Sequence, residues 1–132
     1  MIREDGNCSV CGCGVEWSVV QSIGSRKELR WSRGMHCGNA VEEDDIGFPS
    51  EQIRSAFIEA QGQWSLHLLD AAHRSNAVRE MRRLLGLDLN AAARLIRAPL
   101  NDLWSGTETE ARWIALHLHR LGVLVAVTRQ NS

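Results

Sequence analysis

Two cysteines, Cys8 and Cys11, are separated by two residues and followed by Gly12. Cys-x-x-Cys-Gly makes a tight turn in which backbone amides and thiolates together hold zinc. Cys13 belongs to the same run, and His36-Cys37 supplies two more soft donors between Gly34 and Gly38. A site closed by four protein donors leaves no position for water or substrate, so the predicted role is structural.

Other chemistry is hard to find in the chain. No phosphate-binding glycine loop, serine nucleophile elbow or paired-histidine metal motif occurs. His117 and His119 are two apart on a predicted helix and point to different faces, while His67 and His73 read as ordinary structural histidines. A cysteine nucleophile needs an activating histidine, and the close candidate, His36 beside Cys37, is already used by the metal reading. No catalytic residue is assigned, and the chain is expected not to be an enzyme. Its 132 residues carry 15 basic and 16 acidic side chains with no aromatic-studded basic groove, so neither nucleic acid nor a membrane is the expected partner. No signal peptide is read at the start, and a chain of this length builds a core without staples. A reducing, cytoplasmic setting is expected, and a disulfide scaffold is not favoured.

The elements that must position these groups fall into an α+β pattern. After an apolar run from Trp64 to Leu69, Ser75 is read as the cap of a helix carrying Val78, Met81 and Leu85, stopped by Gly86. Asp88 caps a second helix with Leu89, Ala92 and Ile96 on one side, ended by Pro99. Residues 100–104 form a strand candidate. Thr107 and Glu110 make a capping box for a third helix, whose stripe is Ala111, Ile114, Ala115, Leu118 and Leu121. Gly122 ends it, and residues 123–128 alternate as a strand. The predicted order is β-α-α-β-α-β, with three helices on one face of a three-stranded, largely antiparallel sheet.

At these residues the chain resembles the C-terminal globular domain of the bacterial ribosomal stalk protein. Gly86-Leu87-Asp88-Leu89 is similar to that family's glycine-leucine-glycine-leucine turn, and Ala98-Pro99, the Thr107 capping box and Leu121-Gly122-Val123 fall in step with its landmarks. The stalk domain recruits translation factors through basic and apolar residues of its first two helices. The resemblance therefore implies a binding face at Arg74, Val78, Arg79 and Arg82, with Arg83 beside them. Asn90 and Ala93 depart from the pattern, standing where the family usually has lysines. From Arg74 to Arg97 there are six arginines against two acids, a surface suited either to solvent or to an acidic partner.

The first half is of a different kind. Strand-like segments 16–23 and 28–32, joined by Gly24-Ser25-Arg26-Lys27, lead into Gly34-Met35-His36-Cys37-Gly38 and resemble the hairpin and second knuckle of a zinc ribbon. Gly34 stands where a ribbon has its third cysteine. The resemblance then implies zinc on Cys8, Cys11, Cys37 and His36, with Cys13 as the alternative fourth ligand; the competing reading is a ribbon that has lost its metal. Trp17 and Trp31 are read as a pair across the hairpin, Trp64 and Trp104 as strand residues, and Trp113 as lying just off the buried helical stripe.

Glu42, Glu43, Asp44 and Asp45 read as a solvated linker edge, or as an acidic contact for a basic surface. Residues before Gln63 sum to −4 and the remainder to +3, so the halves are complementary. A helix from about 50 to 60 is expected to tie them together, giving a ribbon-like module over 1–47, a connecting helix over 48–62 and a stalk-like domain over 63–132. By elimination and resemblance, a small bacterial protein that acts by binding another protein is expected. The leading form is an immunity protein that neutralises a cognate toxin through the arginine helices or the acidic run. The alternatives are a translation-associated factor contacting elongation factors, a protease adaptor and a zinc-ribbon regulator.

Overall fold

The computed structural model describes residues 1–130, and the chain divides after Gln61 into two compact units. The protein is mixed α+β, with four α-helices and two antiparallel sheets among the described residues.

The first unit is a meander of β1 (Ile2–Asn7), β2 (Gly14–Ile23), β3 (Leu29–His36) and β4 (Ala40–Ile46), in that spatial order. Its side chains alternate between faces. On one face Ile2 and Val19 pack with Ile53 and Phe57 of α1 (Glu51–Gln61), assisted by Trp31 and Ala56. Further along, Cys8, Trp17 and Met35 form a second buried cluster, flanked by Val15, Cys37 and Val41. A groove over β2, β3 and β4 is lined by residues that include Ser18, Ser32, Met35, His36, Glu42 and Asp44.

Several expectations for this half are corrected. The sheet has four strands, not the two of a simple hairpin, because the polar segments at 2–7 and 40–46 gain backbone partners in β2 and β3. Residues 42–45 are therefore strand, not linker; Glu43 faces Arg33 and bonds its guanidinium at 2.7 Å. Trp17 and Trp31 do not pair across the hairpin: Trp17 lies opposite Glu4, Trp31 lies opposite Gln21, and the two join different clusters. Helix α1, started by Ser50 Oγ accepting from Ile53 N at 3.3 Å, belongs to the first unit, because Ile53 and Phe57 close over β1 and β2.

In the second unit β5 (Trp64–Leu68) lies between β6 (Trp104–Gly106) and β7 (Val125–Arg129), antiparallel to both. The helices are α2 (Arg74–Leu85), α3 (Leu89–Arg97) and α4 (Glu108–Arg120). Helix α4 packs against all three strands, α2 against α4, and α3 against α2. The core includes Leu66, Met81, Ile114, Leu118 and Val123, each almost fully buried. Gly86 adopts the left-handed conformation, φ 65°, that a side chain with a Cβ resists, and so ends α2 where the sequence places its stop.

The local differences have simple causes. Ser75 does not cap α2, because Asp70 caps a 3-10 turn at 71–73 that runs directly into Arg74. The segment 100–102 is also a 3-10 turn, after Pro99, and the strand is confined to 104–106. Trp113 is buried and meets the His117 ring edge-on at 5.8 Å, so it belongs to the core. Leu89, Ile96 and Leu121, read as buried, are exposed. On α3 only Ala92 is buried.

The capping box is present in both directions: Glu110 N donates to Thr107 Oγ1 and Thr107 N to Glu110 Oε1, each at 3.2 Å, with Glu110 completely buried. Thr107→Ala leaves that amide without its acceptor inside the fold, so urea unfolding should show a loss of about 1–2 kcal/mol. Thr107→Ser, which keeps the hydroxyl, should recover most of it.

Candidate metal centre

The cysteines converge at one end of the first sheet. Asn7 ends β1, and the chain turns through residues 8–13 before β2 begins. Cys8 N donates to Cys13 O at 2.8 Å and Gly12 N to Cys8 O at 2.9 Å, with Gly12 at φ 76°. Inside this loop Val10 N and Cys11 N point at Cys8 Sγ, at 3.3 and 3.5 Å. Cys8 itself is buried on Trp17 and Met35.

The turn from β3 to β4 brings Cys37 to the same place. Cys37 Sγ lies 3.7 Å from Cys11 Sγ, and the sulfurs of Cys8, Cys11 and Cys37 all lie within 4.8 Å of one another. Cys13 Sγ is 3.2 Å from Cys11 Sγ. All four thiols are free, so they are neither paired nor dispersed.

These separations fit a metal ion. Thiolates at ~2.3 Å from a tetrahedral zinc are ~3.8 Å from each other, close to the Cys11–Cys37 spacing. Cys8, Cys11 and Cys37 can thus bind a metal ion, and the cluster fits a zinc-ribbon-like module.

The cluster is electrostatically uneven. The Asn39 backbone amide, with help from the Cys8 and Cys13 thiols, stabilises the Cys37 thiolate and draws its pKa from 9.0 to about 6. Hydrogen bonding to Cys11 and then Cys37 holds the proton on Cys13, whose pKa is pushed up to about 12. Cys13 therefore keeps its proton at a pH where Cys37 has already lost its own.

His36 is not part of this cluster. It follows Met35 on β3 and so points to the opposite face. No protein-family model, curated protein or solved structure matches the chain.

The residues predicted to bind a partner fall in both units. On β4, Glu42 and Asp44 line the groove, Glu43 is bonded to Arg33, and Asp45 Oδ1 accepts from Ile46 N. On α2, Val78 is buried in the core and is corrected as a contact residue. Arg74 donates to Ile96 O, Arg82 to Leu87 O at 3.2 Å, and Arg83 is paired with Glu80. Arg79 is exposed and, like Arg94 and Arg97 on α3, has no ion pair among the described residues. Sequence reasoning missed the exposure of Leu89 and Ile96. The available signal was the run Ala91-Ala92-Ala93, small residues that let α3 approach α2 on its alanine side. Asn39 was missed altogether, since it acts on Cys37 through its backbone.

In the metal-free protein Cys37 should alkylate with a midpoint near pH 6, and Cys13 should react last. Mass mapping of the labelled peptides across a pH series checks this; equal midpoints at both cysteines would contradict it. The lowered Cys37 pKa contributes stability that is full above about pH 9 and is lost as pH falls through about 6.

Proposed function

We propose that the protein works by binding another protein, and that its first unit is a zinc-stabilised module. The observation that carries the binding proposal is the outer surface of α2 and α3. Leu89 and Ile96 lie seven residues apart on one side of α3 and are 69% and 49% exposed. Arg79, Arg94 and Arg97 on the same helix pair offer guanidinium groups that no carboxylate of the described residues takes up. Arginine is enriched at protein interfaces, and exposed guanidiniums beside an exposed apolar pair are complemented by an acidic surface with an apolar centre. Of the positions that the resemblance to the ribosomal stalk domain implies, Arg79 remains available on this surface, since Val78 is buried and Arg74 and Arg82 bond carbonyls of the helix pair.

The sharpest form of this proposal is an immunity protein that neutralises a cognate toxin by covering its active or substrate-docking surface. Small size and a complementary charged surface support it. Co-expression with a toxin encoded beside its gene should rescue cells, and the double variant Arg79→Glu, Leu89→Asp should weaken binding by roughly tenfold or more. No rescue and no binding by the folded wild-type protein would sink the immunity reading. Capture of elongation factors that collapses on the same double change would favour the translation-associated alternative.

The zinc proposal rests on the convergence of free thiols at tetrahedral spacing. Protein purified without added metal should contain one zinc per chain by elemental analysis. Chelation should lower the unfolding temperature of the first unit and leave amide protection in the second unchanged.

A further inference from the structure

We infer that the metal is held by four thiolates, with Cys13 and not His36 as the fourth ligand. This rests on the zinc reading above and assigns the donor that the sequence leaves open between these two residues.

The first argument is the pleat of β3. Met35 is buried with Cys8 and Trp17, and Cys37 packs against that same cluster, so positions 35 and 37 serve one face. His36 lies between Met35 and Cys37, is exposed, and by the pleat of β3 shares the other face with Ser32 and Gly34. Its imidazole is on the far side of the sheet from the sulfurs. Reaching them requires His36 to leave its ladder position opposite Ala40.

The second argument is the loop itself. The bonds Cys8 N to Cys13 O and Gly12 N to Cys8 O fold 8–13 back on itself, and the left-handed Gly12 reverses the chain between Cys11 and Cys13. Cys13 Sγ is thereby placed 3.2 Å from Cys11 Sγ, beside the group of three sulfurs formed by Cys8, Cys11 and Cys37. Three donors come from one hydrogen-bonded loop and the fourth from the β3–β4 turn. A zinc ribbon takes two from each knuckle. Here the donor missing at Gly34 is replaced from the first knuckle, and Gly34 instead lines the groove.

The chemistry of the set is consistent. Four thiolates around a divalent ion make a closed tetrahedral site suited to zinc or iron, with no position for substrate. The excess negative charge is met by backbone N–H groups: Val10 and Cys11 donate to Cys8, and Asn39 N–H favours the Cys37 thiolate. Asn39 Nδ2 lies 3.9 Å from the same sulfur. Cys37 is the single ligand that ties the β3–β4 turn to the 8–13 loop.

Cobalt(II) added to the metal-free full-length chain reports ligand number optically. Wild type and His36→Ala should show the same thiolate-to-cobalt charge-transfer intensity and the same affinity. Cys13→Ser should lose about a quarter of that intensity, one thiolate of four, and weaken on the order of tenfold or more. Cys13→Ser matching wild type in both intensity and affinity would overturn the ligand assignment and leave the zinc reading standing, and a loss of affinity in His36→Ala would then point to the imidazole as the fourth ligand. Absence of any thiolate-to-cobalt band in wild type would remove both. Amide spectra of both variants report whether the four-stranded sheet is kept, and His36→Ala alters only an exposed groove residue, so a null effect there is informative by itself.

Discussion

The alternation of side chains along β3 is the constraint on which the first unit depends. Met35 sits in the core with Cys8 and Trp17, and this fixes which neighbours face the sulfurs. Trp17 is held from several sides. Its indole Nε1 donates to Asn7 O at 3.3 Å, and the Arg33 guanidinium lies 4.4 Å from its ring centroid while bonding Glu43. Gly6 lies close beneath the indole, where a Cβ would meet it at 2.9 Å. A chain of contacts thus runs from the acidic strand β4 through Arg33 and Trp17 to Cys8, the buried member of the cysteine cluster. The positions of the sulfurs and the sheet register are coupled through it: whatever draws the sulfurs together also favours the pairing of β3 with β4.

The second unit is governed by a different device, the bridging of two helices by arginine. Arg74 at the start of α2 donates to Ile96 O at the end of α3, and Arg82 near the end of α2 donates to Leu87 O just before α3 begins. The two guanidiniums hold both ends of a short helix that buries little beyond Ala92. Helix α3 is nine residues long, too short to be stable alone, so these bonds and the Asp88 cap at 2.8 Å matter for its existence. The arrangement also sorts the arginines. Arg74, Arg82 and Arg83 have structural partners, which leaves Arg79, Arg94 and Arg97 for the binding role proposed above.

Helix boundaries were the most legible part of the sequence, because caps and stops act locally. Thr107, Glu110, Asp88, Gly86 and Gly122 all perform the roles their residue types suggest. Strands β1 and β4 were opaque for the opposite reason. Ile2–Asn7 and Ala40–Ile46 are polar and acidic, and they become strands through backbone partners supplied by distant residues, which override weak intrinsic preference. The cysteines were legible as a metal motif through Cys-x-x-Cys-Gly. His36 was drawn in because it adjoins Cys37, yet it alternates along β3 with Met35 and so turns away from the buried cluster that Cys37 flanks. The exposure of Leu89 and Ile96 was hidden because apolar spacing reveals that a helix has two sides, but not which side its neighbour takes.

The all-thiolate assignment is tested most directly by X-ray absorption at the zinc K edge of the full-length protein. Four sulfur scatterers at about 2.3 Å, with no imidazole outer-shell signal, are predicted. A mixed shell with a nitrogen near ~2.0 Å and imidazole back-scattering would contradict it.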